Sequence, residues 1–484
     1  MLLLVFQTVS AQTNYVIQYT SANEEIPFCI KQIGSNQFTA IRIGEELFGY
    51  KQNSRLIKTN SVGTTTAEYN YEVSDSSYYN ITNIVPINES EFLTIARCKS
   101  KQLPFAQIGV IKFDTSLQVI WEKKFALNRA SVDFQYATIN SSGNVVIGVG
   151  LSTGYPSWVY SLLFMEMTSD GDSLKSNYLT MGNPSLVNIY SLIEINGQYK
   201  AFVNGYSSYV PNQGFSQMLQ LDTNFNIVGI KPSPYIIMEC MTAEKIDDAR
   251  YFLTGKAYSS ATHFDVGIAK LSITEDSIAF NHAGEPGTAV DYSGWIKCMS
   301  IANSNSIYTG GTGNDNGMFY NCHFTNKVLM LSNYDSLLNC RWTRFYGSDT
   351  ACYTMSTLEA TSDGGCIMGG MIYTPTRPEN LLDAVIIKVD SLGLFTEIPK
   401  ISKVQVHEAI VYPNPGFDVI NIQSGTQITG AEFSMYDVSG KQVLKMTLIT
   451  TLVQMDVTQF TEGTYLWQIK HKGRIVDTGK WIRR

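Results

Sequence analysis

Charge is scarce in this sequence of 484 residues. Asp, Glu, Lys and Arg make up 16% of it, while apolar residues supply 44% and aromatics 12%. An average soluble chain is roughly 25% charged, and disorder needs many charges and few hydrophobes, so this composition excludes a disordered chain. Long apolar runs are missing as well. No stretch, Leu2 to Phe6 included, approaches the roughly 18 residues of a membrane-spanning helix, and no such helix is expected. Basic runs with interleaved aromatics are absent. The net charge of 35 − 42 = −7 divides into −10 for residues 1–399 and +3 for residues 400–484. An acidic body gains nothing from counterion release on phosphate backbones, so nucleic acid is not an expected partner.

Metal and redox motifs are lacking too. The five histidines, His263, His282, His323, His407 and His471, show no H-x-H or H-E-x-x-H spacing, and neither a metal nor a cofactor is expected. The eight cysteines contain no C-x-x-C pair, which removes zinc-ribbon and thioredoxin-like readings. Their spacing decides neither which of them would pair nor whether they pair at all, because unpaired cysteine is also a buried residue type.

What is present starts with MLLLVFQTVSAQ, an apolar run followed by Val9 and Ala11 at the small-residue spacing that signal peptidase accepts. Residues 1–11 read as a signal peptide truncated at its start, since no basic region precedes the apolar run. The other reading is a buried N-terminal strand.

Next comes one short pattern, repeated: apolar, polar, apolar, then a small side-chain acceptor. It ends at Asn60 (LIKTN), Asp114 (VIKFD), Thr168 (MEMT), Asp222 (LQLD), Ser272 (AKLS), Ser332 (LMLS) and Asp390 (IIKVD), at spacings of 54, 54, 54, 50, 60 and 58. Asn, Asp, Ser and Thr side chains accept hydrogen bonds from backbone two residues on and so open turns, and each pattern reads as a strand entering a hairpin. About 20 residues earlier a second strand recurs, for example FTAIRIG, VVIGVG, IYTGGTG and CIMGGM. With one strand upstream of it and one after the anchor, each unit holds four short strands without helical periodicity, the pattern of a propeller blade. The predicted fold is all-β, with a seven-bladed β-propeller over residues 12–396. Repeat seven lacks its fourth strand, and NYVIQYT at Asn14 to Thr20 is expected to pair there. The Gly-rich stretches TSDGGCIMGG, TGGTGNDNG and TSDGD read as hairpin and tight-turn chemistry, since no helix follows to hold a phosphate.

Beyond a linker at 397–406, the composition changes. The stretches VYPNPGFDVINIQ (Val411 to Gln423), MYDVSGKQV (Met435 to Val443), FTEGTYLWQI (Phe460 to Ile469) and GRIVDTGKWIRR (Gly473 to Arg484) follow in order. Read by themselves, they are alternating strands separated by Pro413 and Pro415, Ser439-Gly440 and Glu462-Gly463. Together they resemble the C-terminal sorting domain of the type IX (Por) secretion system, carried here by Tyr412, Pro413, Asn414, Pro415, Asp437, Gly440, Lys441, Gly463, Tyr465 and Lys480, with Phe460 where Leu is usual. The resemblance covers residues 407–484. It implies a small immunoglobulin-like β-sandwich, a Gram-negative exporter that passes the chain through the periplasm, an outer-membrane translocon that recognises the tail, and a sortase-like peptidase that removes it. The body is similar to propeller repeats common in passengers of that system.

For the body two functions stay open. One is a non-catalytic binding or adhesion module for a glycan or protein, using the aromatic connections between second and third strands: Tyr155, Trp158, Tyr206, Tyr209 and Tyr258. Flat rings with polar tips offer large rigid contact area. The other is a secreted carbohydrate-active lyase or hydrolase working in the propeller channel, with Asp133, Glu285, Asp291 and Asp349 as candidate acids. No catalytic residue is assigned. A channel lined by converging acids and a His would favour the enzyme.

Overall fold

The computed structural model describes residues 14–20, 23–44, 52–71, 78–99, 106–127, 131–152, 160–180, 185–206, 214–232, 237, 239–259, 263–284, 290–314, 327–348, 350–375, 381–394, 409–412, 415–424, 429–471 and 474–484. The leader and the linker lie outside this set. The chain divides into two compact units, Met1–Pro399 and Lys400–Arg484.

Every regular element described in the first unit is a strand, and the strands form seven sheets. Sheet two shows the plan: Tyr78–Pro86, Glu91–Lys99, Ala106–Asp114 and Val119–Ala126 follow one another as an antiparallel meander. Its third strand is buried almost throughout, whereas its fourth alternates half-buried and exposed residues. Continuous burial of a short apolar strand means both faces are covered, here by the neighbouring sheets. The first strands are Glu24–Ile33, Tyr78–Pro86, Ser131–Ile139, Ser185–Ile195, Glu239–Asp247, Met299–Asn303 and Cys352–Ala360. Each contacts the next, and the seventh contacts the first.

All seven of these first strands carry a register shift against their partner, after Pro27, Ile81, Val132, Leu186 and again Ile189, Cys240 and again Lys245, Ile301 and Met355. Sheet six is also broken: Tyr292–Ser293 and Met299–Asn303 both pair with Ser306–Gly313, giving that sheet five strands rather than the expected four. A bulge frees backbone groups and re-aims side chains. Here the freed groups are taken by the adjacent sheet: Asn83 Nδ2 donates to Gln135 O at 3.0 Å, Ser191 Oγ to Ala243 O at 3.1 Å, Cys298 N to Thr242 Oγ1 at 3.0 Å and Ser356 Oγ to Pro27 O at 2.6 Å.

The bulges also correct the reading of the Gly-rich stretches. Asp170-Gly171 and Asp363-Gly364 are in turns, but Gly310, Gly311, Gly369 and Gly370 lie within strands. A Cβ on Gly311 would sit 2.3 Å from Tyr292 O, and one on Gly370 2.8 Å from Thr354 O, because the irregular first strand brings its carbonyls onto these positions.

The hairpin anchors behave as expected at six positions. Asp114 Oδ1 accepts from the N–H groups of Ser116 (2.8 Å) and Gln118 (2.9 Å), and Asn60, Thr168, Asp222 and Asp390 repeat the pattern; at Ser272, Oγ accepts from Asp276 N. Ser332 is not the sixth anchor. It lies inside the strand Val328–Tyr334, and Asp335 makes the turn bonds to Leu337 and Asn339. The strand runs on because Tyr334 is fully buried.

The residue three beyond each anchor has positive φ, and what stands there matches the outer strand of the preceding sheet. Gly171 lies against Trp121, Gly393 against Trp342 and Gly63 against Tyr15, where a Cβ would meet ring atoms at 2.8, 2.7 and 2.5 Å. Where the preceding outer strand offers a smaller Asn, a large residue fills the space: Phe225 (φ 62°) and Leu338 (φ 65°), whose carbonyls accept from Asn177 and Asn281. Leu117 (φ 64°) plugs the contact of sheets one and two, and Glu275 meets Lys200 and Lys231 at the contact of sheets four and five. A left-handed non-glycine residue costs about 1–2 kcal/mol, but burying Leu or Phe returns about 1.5–3 kcal/mol, so packing prevails.

Tyr15 belongs to Tyr15–Tyr19, which pairs antiparallel with Leu382–Val389 of sheet seven, Tyr15 opposite Lys388. The N-terminal strand thereby stands toward the Gly63 turn of sheet one as Trp121 stands toward that of sheet three. Cys29, Cys98, Cys298, Cys340, Cys352 and Cys366 are free thiols, all but Cys340 at least partly buried; the Cys240 side chain and Cys322 lie outside the described residues.

The second unit has a three-stranded sheet (Ala409–Tyr412, Val419–Ser424, Leu452–Asp456) and a four-stranded one (Gln442–Thr447, Glu432–Asp437, Gly463–His471, Arg474–Arg483). Ile420 and Ile422 from the first pack with Phe433, Trp467 and Trp481 from the second.

Deleting residues 14–20 is expected to lower the melting temperature of residues 12–396 clearly more than trimming an ordinary terminus. Tyr15→Ala alone should cost about 3 kcal/mol, read by urea unfolding. Unchanged unfolding of both variants would show that this strand does not hold sheet seven to sheet one.

Candidate functional site

The bulged first strands surround a chamber of about 100 Å³, bordered by Cys29, Lys31, Thr82, Gln135, Lys297 and Thr357 among others. A wider cavity of about 570 Å³ borders it, and Lys31, Ile84, Tyr136, Ala137 and Lys297 line both. The wider cavity is bounded by Pro86, Ile139, Glu194 and Lys245, which stand at or near the ends of their strands. It therefore opens where first strands turn into second strands. The aromatic connections singled out from the sequence leave from the other end, since Ser131 pairs with Ser152 and Ser185 with Tyr206.

Four charged side chains from sheets one, five, six and seven meet here. Lys31 Nζ is 2.6 Å from Glu359 Oε1, Lys297 Nζ is 2.8 Å from Glu359 Oε2, and the same ammonium is 3.2 Å from Glu244 Oε1. Ile301 N donates to Glu244 Oε2 at 3.2 Å. The break in sheet six creates this arrangement: the backbone N–H of Lys297 turns toward Ser356 O and its carbonyl accepts from Leu358 N, which sets the side chain between sheets five and seven.

Burial alone would raise the Glu359 carboxyl, but Lys297 and Lys31 outweigh it and hold it below the usual range. Burial likewise opposes the charge of Lys297, and Glu359 and Glu244 hold its ammonium well above its ordinary value. Tyr136 and the Cys29 thiol are raised chiefly by burial. These four groups are thus fixed in one protonation state through neutrality, whereas a general acid or base works best with a pKa near the working pH.

The sequence-derived acids do not gather here. Asp291 is buried, and its Oδ1 accepts from Asn314 N at 2.8 Å; the Asp133 side chain, Glu285 and Asp349 lie outside the described residues. Of the aromatic candidates, Tyr155, Trp158, Tyr209 and the Tyr206 side chain lie outside them too. Tyr258 is exposed, with its ring 4.8 Å from Phe264. Lys256 Nζ sits 4.1 Å over Phe264 and 4.5 Å over Tyr292, donating to the Tyr292 hydroxyl at 3.0 Å. Among the described residues no group of three His, Cys, Asp or Glu side chains is placed to hold a metal ion.

Of the sorting-motif positions, Pro413 and Asn414 lie outside the described residues, as does the Tyr412 side chain, while Pro415 is exposed in the bend that follows. Asp437 repeats the turn of the body: Oδ1 accepts from Ser439 N at 2.9 Å and Lys441 N at 3.0 Å, and Gly440 has φ 82°. Gly463 opens its strand at φ 150°, and the buried Tyr465 donates to Thr461 O at 2.7 Å. Phe460 packs 5.4 Å from the Tyr465 ring, filling the place where Leu is usual. Lys480 is exposed on the last strand, opposite Leu466.

The molecule is thus an all-β protein with a propeller-like body and a separate two-sheet tail. Residues 410–483 match the secretion system C-terminal sorting domain family, Por type, and the protein is a secreted or cell-surface passenger of that export route. No curated protein matches the chain. Among solved structures it is similar to the β-propeller domain of the Trilobed protease from Pyrococcus furiosus, at 12% identity and TM-score 0.42 over 80% of this chain and 100% of that one. It is also similar to the acylaminoacyl peptidase of Pyrococcus horikoshii, at 10% and 0.43 over 84% of this chain and 59% of that one, and to the polysaccharide lyase Uly1, at 9% and 0.44 over 80% and 94%.

Glu359→Gln should destabilise the body by about 1–3 kcal/mol at pH 7, because it leaves the half-buried Lys31 and Lys297 short of a charged partner. A depressed carboxyl contributes stability above its unfolded pKa, near 4.3, and loses it as pH falls through the lower folded value. The gap between variant and parent in urea unfolding should therefore shrink below about pH 4; a gap unchanged from pH 7 to pH 3 would refute the pairing.

Proposed function

We propose that the protein is an exported, non-catalytic binding module. In this reading, residues 12–396 form a seven-bladed β-propeller closed by the N-terminal strand, residues 1–11 belong to a signal peptide, and residues 407–484 are an immunoglobulin-like sorting domain. The tail is recognised by the type IX outer-membrane translocon after transit through the periplasm of a Gram-negative cell, and a sortase-like peptidase removes it. Its ligand is a glycan or protein outside the cell.

The observation that carries the binding reading is the Lys31–Glu359–Lys297–Glu244 chain. An enzyme in this cavity needs a group free to exchange a proton, and here the acids and lysines neutralise one another. The exposed Tyr258 edge, together with Tyr155, Trp158, Tyr206 and Tyr209, supplies the contact surface, since aromatic anchors dominate binding energy.

Deleting residues 407–484 should leave the body folded but retained in the periplasm. Cell fractionation and protease shaving read this outcome, and normal surface display of the truncated protein would overturn the export reading. Replacing Trp158 and Tyr209 together by Ala should weaken retention on surface glycan or on a protein partner by about tenfold or more, or ~1.4 kcal/mol and above, with the melting temperature unchanged. Equal retention by parent and variant would remove the aromatic connections from the binding surface.

A further inference from the structure

The inner chamber holds a polar group that the protein leaves without a partner. Gln135 is 5% exposed, and among the described residues neither Oε1 nor Nε2 of its amide meets a donor or acceptor. Its backbone is not at fault, for Gln135 O accepts from Asn83 Nδ2 at 3.0 Å. A buried primary amide without partners carries a desolvation penalty with no return, and such a group inside a native protein calls for an explanation in what fills the space beside it. The residue follows the register shift at Val132, so the feature that interrupts regular pairing in sheet three also sets this amide at the chamber.

The surroundings select the kind of molecule. Lys31 and Lys297 face Glu359 and Glu244, 2 − 2 = 0 formal charges, and neither an anion nor a cation gains by entering. Thr357, 1% exposed, adds a hydroxyl at the chamber wall. The amide asks for one acceptor and one donor side by side, which two adjacent hydroxyls supply because each can do either. Gln135 and Thr357 border the inner chamber alone, so the sugar ring itself must lie in the neighbouring cavity, whose volume of about 570 Å³ falls within the roughly 300–1,000 Å³ of small-molecule sites and whose apolar wall from Ile84, Val85 and Leu192 suits its C–H face.

We propose that the central cavity binds an uncharged sugar, entering from the end where first strands turn into second strands, with a pair of neighbouring hydroxyls on the Gln135 amide. This rests on the reading of the body as a binding module but not on the aromatic connections, which leave from the opposite end of the sheets.

The test uses the full chain, titrated calorimetrically and melted with glucose, galactose, mannose and, as the charged counterpart, glucuronate. At least one neutral hexose should bind saturably and raise the melting temperature, with glucuronate no tighter. Gln135→Met, which keeps the volume and removes the unpaired amide, should melt no lower than the parent without sugar yet bind the hexose about tenfold more weakly or worse. Thr357→Val serves as a second variant should the first fail to fold, with the same loss expected. Absence of binding by all three hexoses, as when only water satisfies Gln135, or undiminished binding by the variants, or tighter binding of glucuronate, would overturn the proposal. The Trp158 and Tyr209 double variant should bind the hexose like the parent. Retention on surface glycan without hexose binding would leave the binding-module reading standing and this one fallen.

Discussion

The central strands of each sheet of the body are too apolar to face water on either side, and that is the constraint from which the rest follows. Second strands such as Val145–Ser152 and Cys366–Tyr373 are buried along their whole length. A sheet of this kind can exist only between two others, so sheet contacts must continue from one to the next until none is left bare. The fitted pairs of outer strand and following turn, Trp121 with Gly171 or Asn177 with Phe225, tune each contact individually. Glycine stands where the neighbour brings a large ring and a large side chain where it brings a small amide, so the contacts are not interchangeable.

The same constraint shapes the centre. First strands that approach one another from seven sheets cannot all keep regular pairing, and the register shifts at Pro27, Ile81, Val132, Ile189, Cys240 and Met355 relieve the crowding at one level. The side chains released there line the chamber. Lys297 is placed by the most severe of these irregularities, the full break in sheet six. Stability and site share one cause, because the ion-pair chain ties sheets one, five, six and seven where their regular hydrogen bonding is weakest.

Much of the strand order was legible because it is written locally. An apolar strand followed by Asn, Asp, Ser or Thr carries its own turn chemistry, and the tail uses the same device at Asp437. The sixth anchor went astray because Ser332 satisfies that local rule, while the burial of Tyr334 two residues on, a tertiary fact, prolongs the strand. Glycine pairs misled for a related reason: in Gly310-Gly311 the missing side chain answers a carbonyl from another strand, not a turn. The cavity was not legible, since Lys31, Glu244, Lys297 and Glu359 are far apart in sequence. Their only local trace is a charge inside a strand or strand break, alone in CIKQI, WIKCM and TLEA and beside a second in TAEKI. That signal was available, because a charge in a buried strand needs a partner.

The pairing of Tyr15 with Lys388 joins positions 388 − 15 = 373 residues apart. Closing a loop costs entropy that grows with the logarithm of its length, and contacts this remote in sequence make folding slow. More consequential is the order of events. A chain made from its N-terminus presents Tyr15–Tyr19 first and Leu382–Val389 last, so sheet seven waits for nearly the whole body to be made. Until then the first strand has no edge to join, and the earliest strand of the chain is among the last to find its partner.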